Sequence, residues 1–286
     1  MNNKKAKGIF SMAWANFDVW THSPRTIIML CFVFSECVML MKGLERMSRS
    51  YYEGATMHLT EMLVYRMAEG CNLAIMSILL LVTVNELPRR IAFQNYSMIR
   101  SNKTEWLLGQ IGYCCMMVLS TILMVTVFMA ICAIPFAEPG SGWSDLQRIE
   151  NGTGSWGNTV IDTFLLKNFS PVQALLFCMI PLALFWFTMM HFILLCGLYG
   201  SSQLGVVLYA FMLVAHVTFL LDNISWLRFP SAFATFNSIT AGKDGEEALA
   251  LYKVFTGYAI VNLTLFLLMK NRIKKSDFDF FSDNKY

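Results

Sequence analysis

Charge is scarce in this chain. Only 14% of its 286 residues are Asp, Glu, Lys or Arg, where a soluble domain carries about 25%. From residue 168 to residue 221 no charged side chain occurs at all, a run of 54 residues. An ordinary water-soluble globule is excluded. The net charge of +3 is too small for a nucleic-acid binder, whose affinity comes from neutralising phosphates with clustered Lys and Arg. No GxxxxGK[ST] phosphate loop is present either, because the single Gly-Lys pair, Gly242-Lys243, is followed by Asp244. Histidine stands only at positions 22, 58, 191 and 216, with no HxxxH spacing, and Glu246-Glu247 is an acidic pair without a matching ligand set. An intramembrane enzyme therefore lacks the clustered groups its chemistry needs, and we expect neither catalytic residues nor a metal site.

Paired cysteines in polar loops are also lacking. Cys31, Cys37, Cys71, Cys114, Cys115, Cys132, Cys178 and Cys196 all lie in or at the edge of apolar blocks. A disulfide framework uses loop cysteines, whereas single thiols in apolar surroundings behave as small hydrophobes. No small-residue cleavage site follows the basic start MNNKKAKGIF, so the first apolar run is expected to stay in the mature protein.

What the chain has instead is long apolar runs, the mark of membrane spans. The first extends from Thr26 to Leu44, opened by Ser23 as a cap and Pro24 in the first turn, with Glu36 its only charge before Lys42. The second centres on Cys71 to Leu87. The third, Leu107 to Phe136, has 30 uncharged residues, about 45 Å of helix, so it must tilt or project. The small-residue break GLYGSSQLG from Gly197 to Gly205 divides the 54-residue run into Pro171–Cys196 and Leu204–Leu221, a hairpin with a tight connection. The last span is Tyr252 to Met269. The expected fold is an all-α membrane protein with six transmembrane helices and both termini on one side, forming a single transmembrane domain over 1–286.

Orientation follows the positive-inside rule. With the termini in the cytoplasm, 13 basic residues meet six acidic ones inside, and nine basic residues meet 12 acidic ones outside. The cytoplasmic parts are then 1–25, 88–106, a short turn near Gly200 and the tail 270–286. The principal extracellular segments are 137–170 and 222–251, with Glu45 to Gly70 also outside. No cytoplasmic segment is large enough for a nucleotide-binding domain.

In the N-terminal segment, Phe10, Trp14 and Phe17 recur at i, i+4 and i+7, with Ile9, Ala13 and Trp20 on the adjoining edge. Three lysines precede this apolar face. Such a helix suits the headgroup layer of a membrane; a short soluble cap packed on the bundle is the other reading.

The segment from Asn85 to Gln110 mixes Arg89, Arg90, Arg100 and Lys103 with Ile91, Phe93, Tyr96, Met98 and Ile99. A topological anchor needs only the charge. Phe93 and Tyr96, three residues apart, share one side of a helix, and Trp106 marks the start of the third span. Two readings fit: a surface on which something docks, or a basic loop dipping into lipid.

This stretch resembles the first cytoplasmic loop of type-2 ABC exporter permeases, six-span membrane subunits of ATP-driven exporters found in bacterial inner membranes. The resemblance rests on Pro88-Arg89, Phe93 and Tyr96, Arg100 and Trp106 in that order. The amphipathic start, the short turn between spans four and five, the outer RFPSAF (Arg228 to Phe233) and the basic tail NRIKKSDFDF (Asn271 to Phe280) agree in outline. It implies that 88–106 is a coupling helix seated in a groove of a separate ATP-binding cassette ATPase subunit. It implies further that a second permease subunit completes the path, and that ATP and Mg bind the partner rather than this chain. Arg89, Phe93, Tyr96, Arg100 and Trp106 are then the partner-coupling residues. The Gly-rich outer segment 140–159 departs from the family pattern.

Within the spans, Glu36, His191 and His216 are the polar groups that bear on a translocation path. An ionised carboxylate in mid-span costs roughly 2.5 to 3.5 kcal/mol on insertion scales, so Glu36 must face protein or water. It reads as a substrate-contacting or proton-carrying group, or as a protonated Glu bonded to a neighbouring helix. His191 and His216 either share an aqueous pocket with it or are neutral and bonded to helix backbones, the latter fitting their unequal depths better. Pro181 is expected to kink the fourth span. The expected function is the permease half of an exporter; a non-transporting sensor or assembly factor reading the outer segments is the alternative.

Overall fold

The computed structural model of the protein describes residues 3–51, 57–68, 70–84, 87–88, 102–144, 169–219 and 247–275. Within them the chain is mostly helical. Helix α1 (Asn3–Thr21) leads at once into α2 (Pro24–Tyr51). Their junction is tied by the Thr26 hydroxyl, which donates to the Trp20 carbonyl at 2.6 Å. Helix α2 begins at Pro24 as the sequence suggests, since proline at the first helical position gives up an N–H that has no partner there anyway. It then continues past Leu44 to Tyr51. Lys, Glu and Arg are good helix formers and carry the helix beyond the end of the apolar run.

A two-residue strand β1 (Met57–His58) precedes α3 (Leu59–Ala68) and α4 (Gly70–Val84). Helix α5 (Lys103–Ala133) is capped by the Asn102 side chain, which accepts from the Thr104 backbone N–H at 3.4 Å. Strand β2 (Ala137–Glu138) follows it and lies parallel to β1, with Met57 opposite Ala137 and His58 opposite Glu138.

Helix α6 (Pro171–Leu198) opens on a complete capping box. Ser170 Oγ accepts from the Gln173 N–H, and the Gln173 carboxamide accepts from the Ser170 N–H at 3.0 Å, satisfying two orphan donors at once. It runs unbroken through Pro181 and stops where Gly200 takes a φ of 118°. The Ser201 N–H returns to the Cys196 carbonyl and the Gly200 N–H to that of Gly197, each at 3.2 Å, a double closure that needs a left-handed residue between. Ser201 then caps α7 (Ser202–Phe219), its hydroxyl accepting from the Leu204 N–H at 3.1 Å. A stop and a start on consecutive residues make the hairpin read from GLYGSSQLG. Helix α8 (Glu247–Lys275) closes the described chain.

Helices α5 and α6 form the middle of the bundle. Helix α5 packs against α1, α2 and α6, and α6 against α3, α7 and α8. Among the described residues these two, with 31 and 28 residues, are long and apolar enough to cross a membrane, at about 46 and 42 Å. Their shared core holds Met117, Leu182, Trp186, Met189 and Met190. Trp186 donates its indole N–H to Ser77 Oγ at 2.8 Å, pinning α6 to α4.

Candidate functional site

The sequence singles out eight side chains, and they fall in different places. Arg89, Phe93, Tyr96 and Arg100 lie outside the described residues. Trp106 opens α5 as expected, but its side chain is only 3% exposed. It is packed into its own chain and offers no free surface to a partner, because the first turn of α5 turns it toward the bundle. Glu36 is half-buried on α2, one residue before the buried Cys37. His216 belongs to α7, and its side chain is outside the described residues.

His191 is the member of this set around which the structure builds a site. It is 4% exposed, and it is joined to α8 through Asn262 rather than to helix backbone. The proton positions follow one from the next. Thr188 on α6 donates its hydroxyl to the Leu184 carbonyl at 2.7 Å. Its oxygen therefore receives the Asn262 amide N–H at 2.7 Å, and the same amide nitrogen donates to the Tyr258 carbonyl at 2.9 Å. With both N–H bonds directed there, the Asn262 carbonyl oxygen is the acceptor for His191 Nδ1 at 2.7 Å. Nδ1 thus carries a proton, and in the neutral ring Nε2 keeps the lone pair. Among the described residues that Nε2 has no hydrogen-bond partner. Leaving such an acceptor unmade costs on the order of 1–3 kcal/mol. The Phe187 ring packs on the imidazole with centroids 4.1 Å apart.

A second polar cluster lies outside the apolar blocks. Glu61, in the first turn of α3, is fully buried. Its carboxyl accepts from the Ser144 hydroxyl at 2.9 Å, the Ser144 N–H at 3.2 Å and the His58 N–H at 3.3 Å. His58 Nδ1 meets the Gly142 carbonyl at 2.6 Å, and Gly140 lies so close to the His58 ring that a Cβ would strike it. Desolvation pushes the Glu61 carboxyl above the ordinary carboxylate range, against the lowering effect of its hydrogen bonds and of His58. Nearby, the Trp143 indole N–H donates to the Phe169 carbonyl at 2.8 Å. Segment 137–144 is thus clasped to α3 and to the start of α6.

A third junction sits at the turn after α6. The Leu87 carbonyl and the Pro88 ring press on Gly197, where no side chain would fit. Arg272 of α8 lies 4.9 Å above the Tyr199 ring and directs its Nε–H at the Leu198 carbonyl at 3.4 Å. The chain at Pro88 and the last helix therefore both contact the end of α6 and its turn.

Sequence reasoning missed Asn262, Thr188, Glu61 and Ser144. Asn262 carried a readable signal, a carboxamide midway along an apolar run, which must find a partner inside the bundle. Glu61 carried none, since an acid in a loop-like stretch is ordinarily solvated. Among the described residues no group of three His, Cys, Asp or Glu is placed to hold a metal ion. No family model matches the chain, and neither a curated protein nor a solved structure does.

Proposed function

We propose that this chain is the permease subunit of an ATP-driven exporter, crossing the membrane six times with both termini in the cytoplasm. The observation that carries the reading is the ordered set Pro88-Arg89, Phe93, Tyr96, Arg100 and Trp106, in a chain without a phosphate loop of its own. Six passes are supported by large apolar side chains left exposed on the helices beyond α5 and α6, among them Ile27 and Phe32 on α2, Val207 and Phe211 on α7, and Leu263 and Leu267 on α8. Large apolar side chains exposed in this number mark a membrane or protein contact.

In this mechanism the separate ATPase closes on ATP, displaces segment 88–106, and that segment tilts the spans between inward- and outward-open states. Pro88 touches Gly197, and Arg272 grips the same turn, so a displacement entering at Pro88 meets α6, α7 and α8 together. Glu36, His191 and His216 are the polar groups of the path, which two permease subunits complete.

Purification from native membranes tests the reading. An ATPase subunit is expected to co-purify, and Phe93→Ala, Tyr96→Ala and Arg100→Ala are each expected to lower its stimulated hydrolysis at least several-fold while leaving membrane insertion unchanged. Full stimulation by all three variants overturns it. A chain that retains no ATPase instead favours a sensor or assembly factor, for which the clasped outer segment 137–144 is the supporting observation.

A further inference from the structure

The hydrogen-bond chain from Leu184 through Thr188 and Asn262 to His191 fixes every proton along it and ends on a lone pair. We infer that His191 Nε2 is the recognition atom of an intramembrane site for an amphiphile whose head carries an O–H or N–H donor. The chemistry of the occupant follows from what surrounds that atom. A buried imidazole held as the Nδ1–H form is purely an acceptor at Nε2, so its partner must donate. His191 lies seven residues before the end of α6 at Leu198, about 10 Å along the helix. Its ring is covered by Phe187 at 4.1 Å, so the partner must also bring an apolar body. A hydroxylated or ammonium-bearing amphiphile meets both conditions; a head without an O–H or N–H donor fails the first.

Asn262 is the positioning residue. Its carbonyl holds the proton on Nδ1 and so keeps the Nε2 lone pair available, while Thr188 and the Tyr258 carbonyl prevent the carboxamide from turning over. In the arrangement seen here Nε2 is shielded, and the occupant must reach it without parting α6 from α8, since Asn262 bridges them. The inference deepens the permease reading by giving its path a recognition element, but it concerns the purified chain alone and needs no ATPase to be tested.

The test is nitrogen NMR of the full chain carrying 15N-histidine in lipid nanodiscs. The four histidines make His191 assignable by its disappearance in His191→Gln. The expected spectrum has a protonated Nδ1 and an unprotonated Nε2. Addition of 1-octanol should move the Nε2 signal toward the hydrogen-bonded position, whereas octyl methyl ether, which has no donor, should leave it in place. Exchanging phosphatidylcholine for phosphatidylethanolamine, which adds an ammonium donor, separates the two sources. Movement with the ethanolamine lipid identifies a lipid head as occupant, and movement with octanol alone a non-lipid amphiphile. Asn262→Leu should abolish the response, and Thr188→Ala, which leaves the Tyr258 bond to hold the carboxamide, should retain it. A proton on Nε2 in the free protein, an equal response to the ether, or no response to either donor overturns the inference.

Discussion

At Glu61 the balance between burial and hydrogen bonding decides the charge. Three donors favour the ionised carboxylate, yet complete burial outweighs them and raises its pKa. A folded chain with a raised carboxyl pKa holds its proton more tightly than the unfolded chain does. The associated stability is therefore fully present below the ordinary value of 4.5 and is lost as pH rises through the raised one. Thermal unfolding of the wild type should accordingly show a midpoint that falls with rising pH across that window and then levels off. In Glu61→Gln, which keeps the shape without the titration, this component of the slope should vanish; a slope identical to wild type would place the titration elsewhere. At His191, by contrast, the hydrogen-bond bookkeeping is what matters. Polar pairs inside membranes contribute only about 0.6 kcal/mol each on average, so the Asn262 bonds are better understood as setting a tautomer than as holding two helices together.

The N-terminal helix shows how an amphipathic face is divided between two neighbours. Its aromatic row is continuous, with Phe10–Trp14, Trp14–Phe17 and Phe17–Trp20 centroids 6.3, 5.9 and 5.5 Å apart. Phe10 and Trp14 are 59% and 53% exposed, while Ala13, Asn16 and Trp20 are buried. One edge of the helix therefore packs on the bundle, and the edge bearing Phe10 and Trp14 is left exposed. The buried edge seats on glycines of α5: a Cβ on Gly112 would come within 3.2 Å of Ala13 Cβ, and one on Gly109 within 2.9 Å of the Met12 sulfur. Gly112→Leu is expected to lift α1 from α5, because overpacking a close contact costs about 1–3 kcal/mol. The readout is a red-shifted tryptophan emission with greater iodide quenching as Trp20 leaves its burial, together with faster tryptic cleavage at Lys5 and Lys7. Unchanged emission and cleavage would mean that α1 is held by its other contacts.

For the whole molecule the proposed orientation predicts sidedness. Gly142 has open space around its Cα, and Ser201 is exposed at the turn between α6 and α7. A membrane-impermeant maleimide applied to intact cells should label Gly142→Cys but not Ser201→Cys, with Ser201→Cys becoming reactive once the membrane is opened. Labelling of both in intact cells would overturn the six-pass arrangement. The contact of Pro88 with Gly197, and of Arg272 with Tyr199 and Leu198, ties residues on either side of that turn into one assembly, well suited to moving as a unit.

Apolar run lengths, Pro24 at the start of α2 and the glycines near position 200 were sufficient to locate most described helices, because these depend on neighbours a few residues away. The same local information marked His191 as worth attention. It did not reach Asn262, 71 residues distant, nor the bonds from Ser144 to Glu61 across 83 residues, because a polar side chain's partner is set by which helices pack together. The resemblance gave Trp106 to a partner, and in the structure its side chain packs into its own chain. What the sequence determined by itself was where most described helices lie; which polar groups face one another, and which lone pair was left over, only the packed bundle decided.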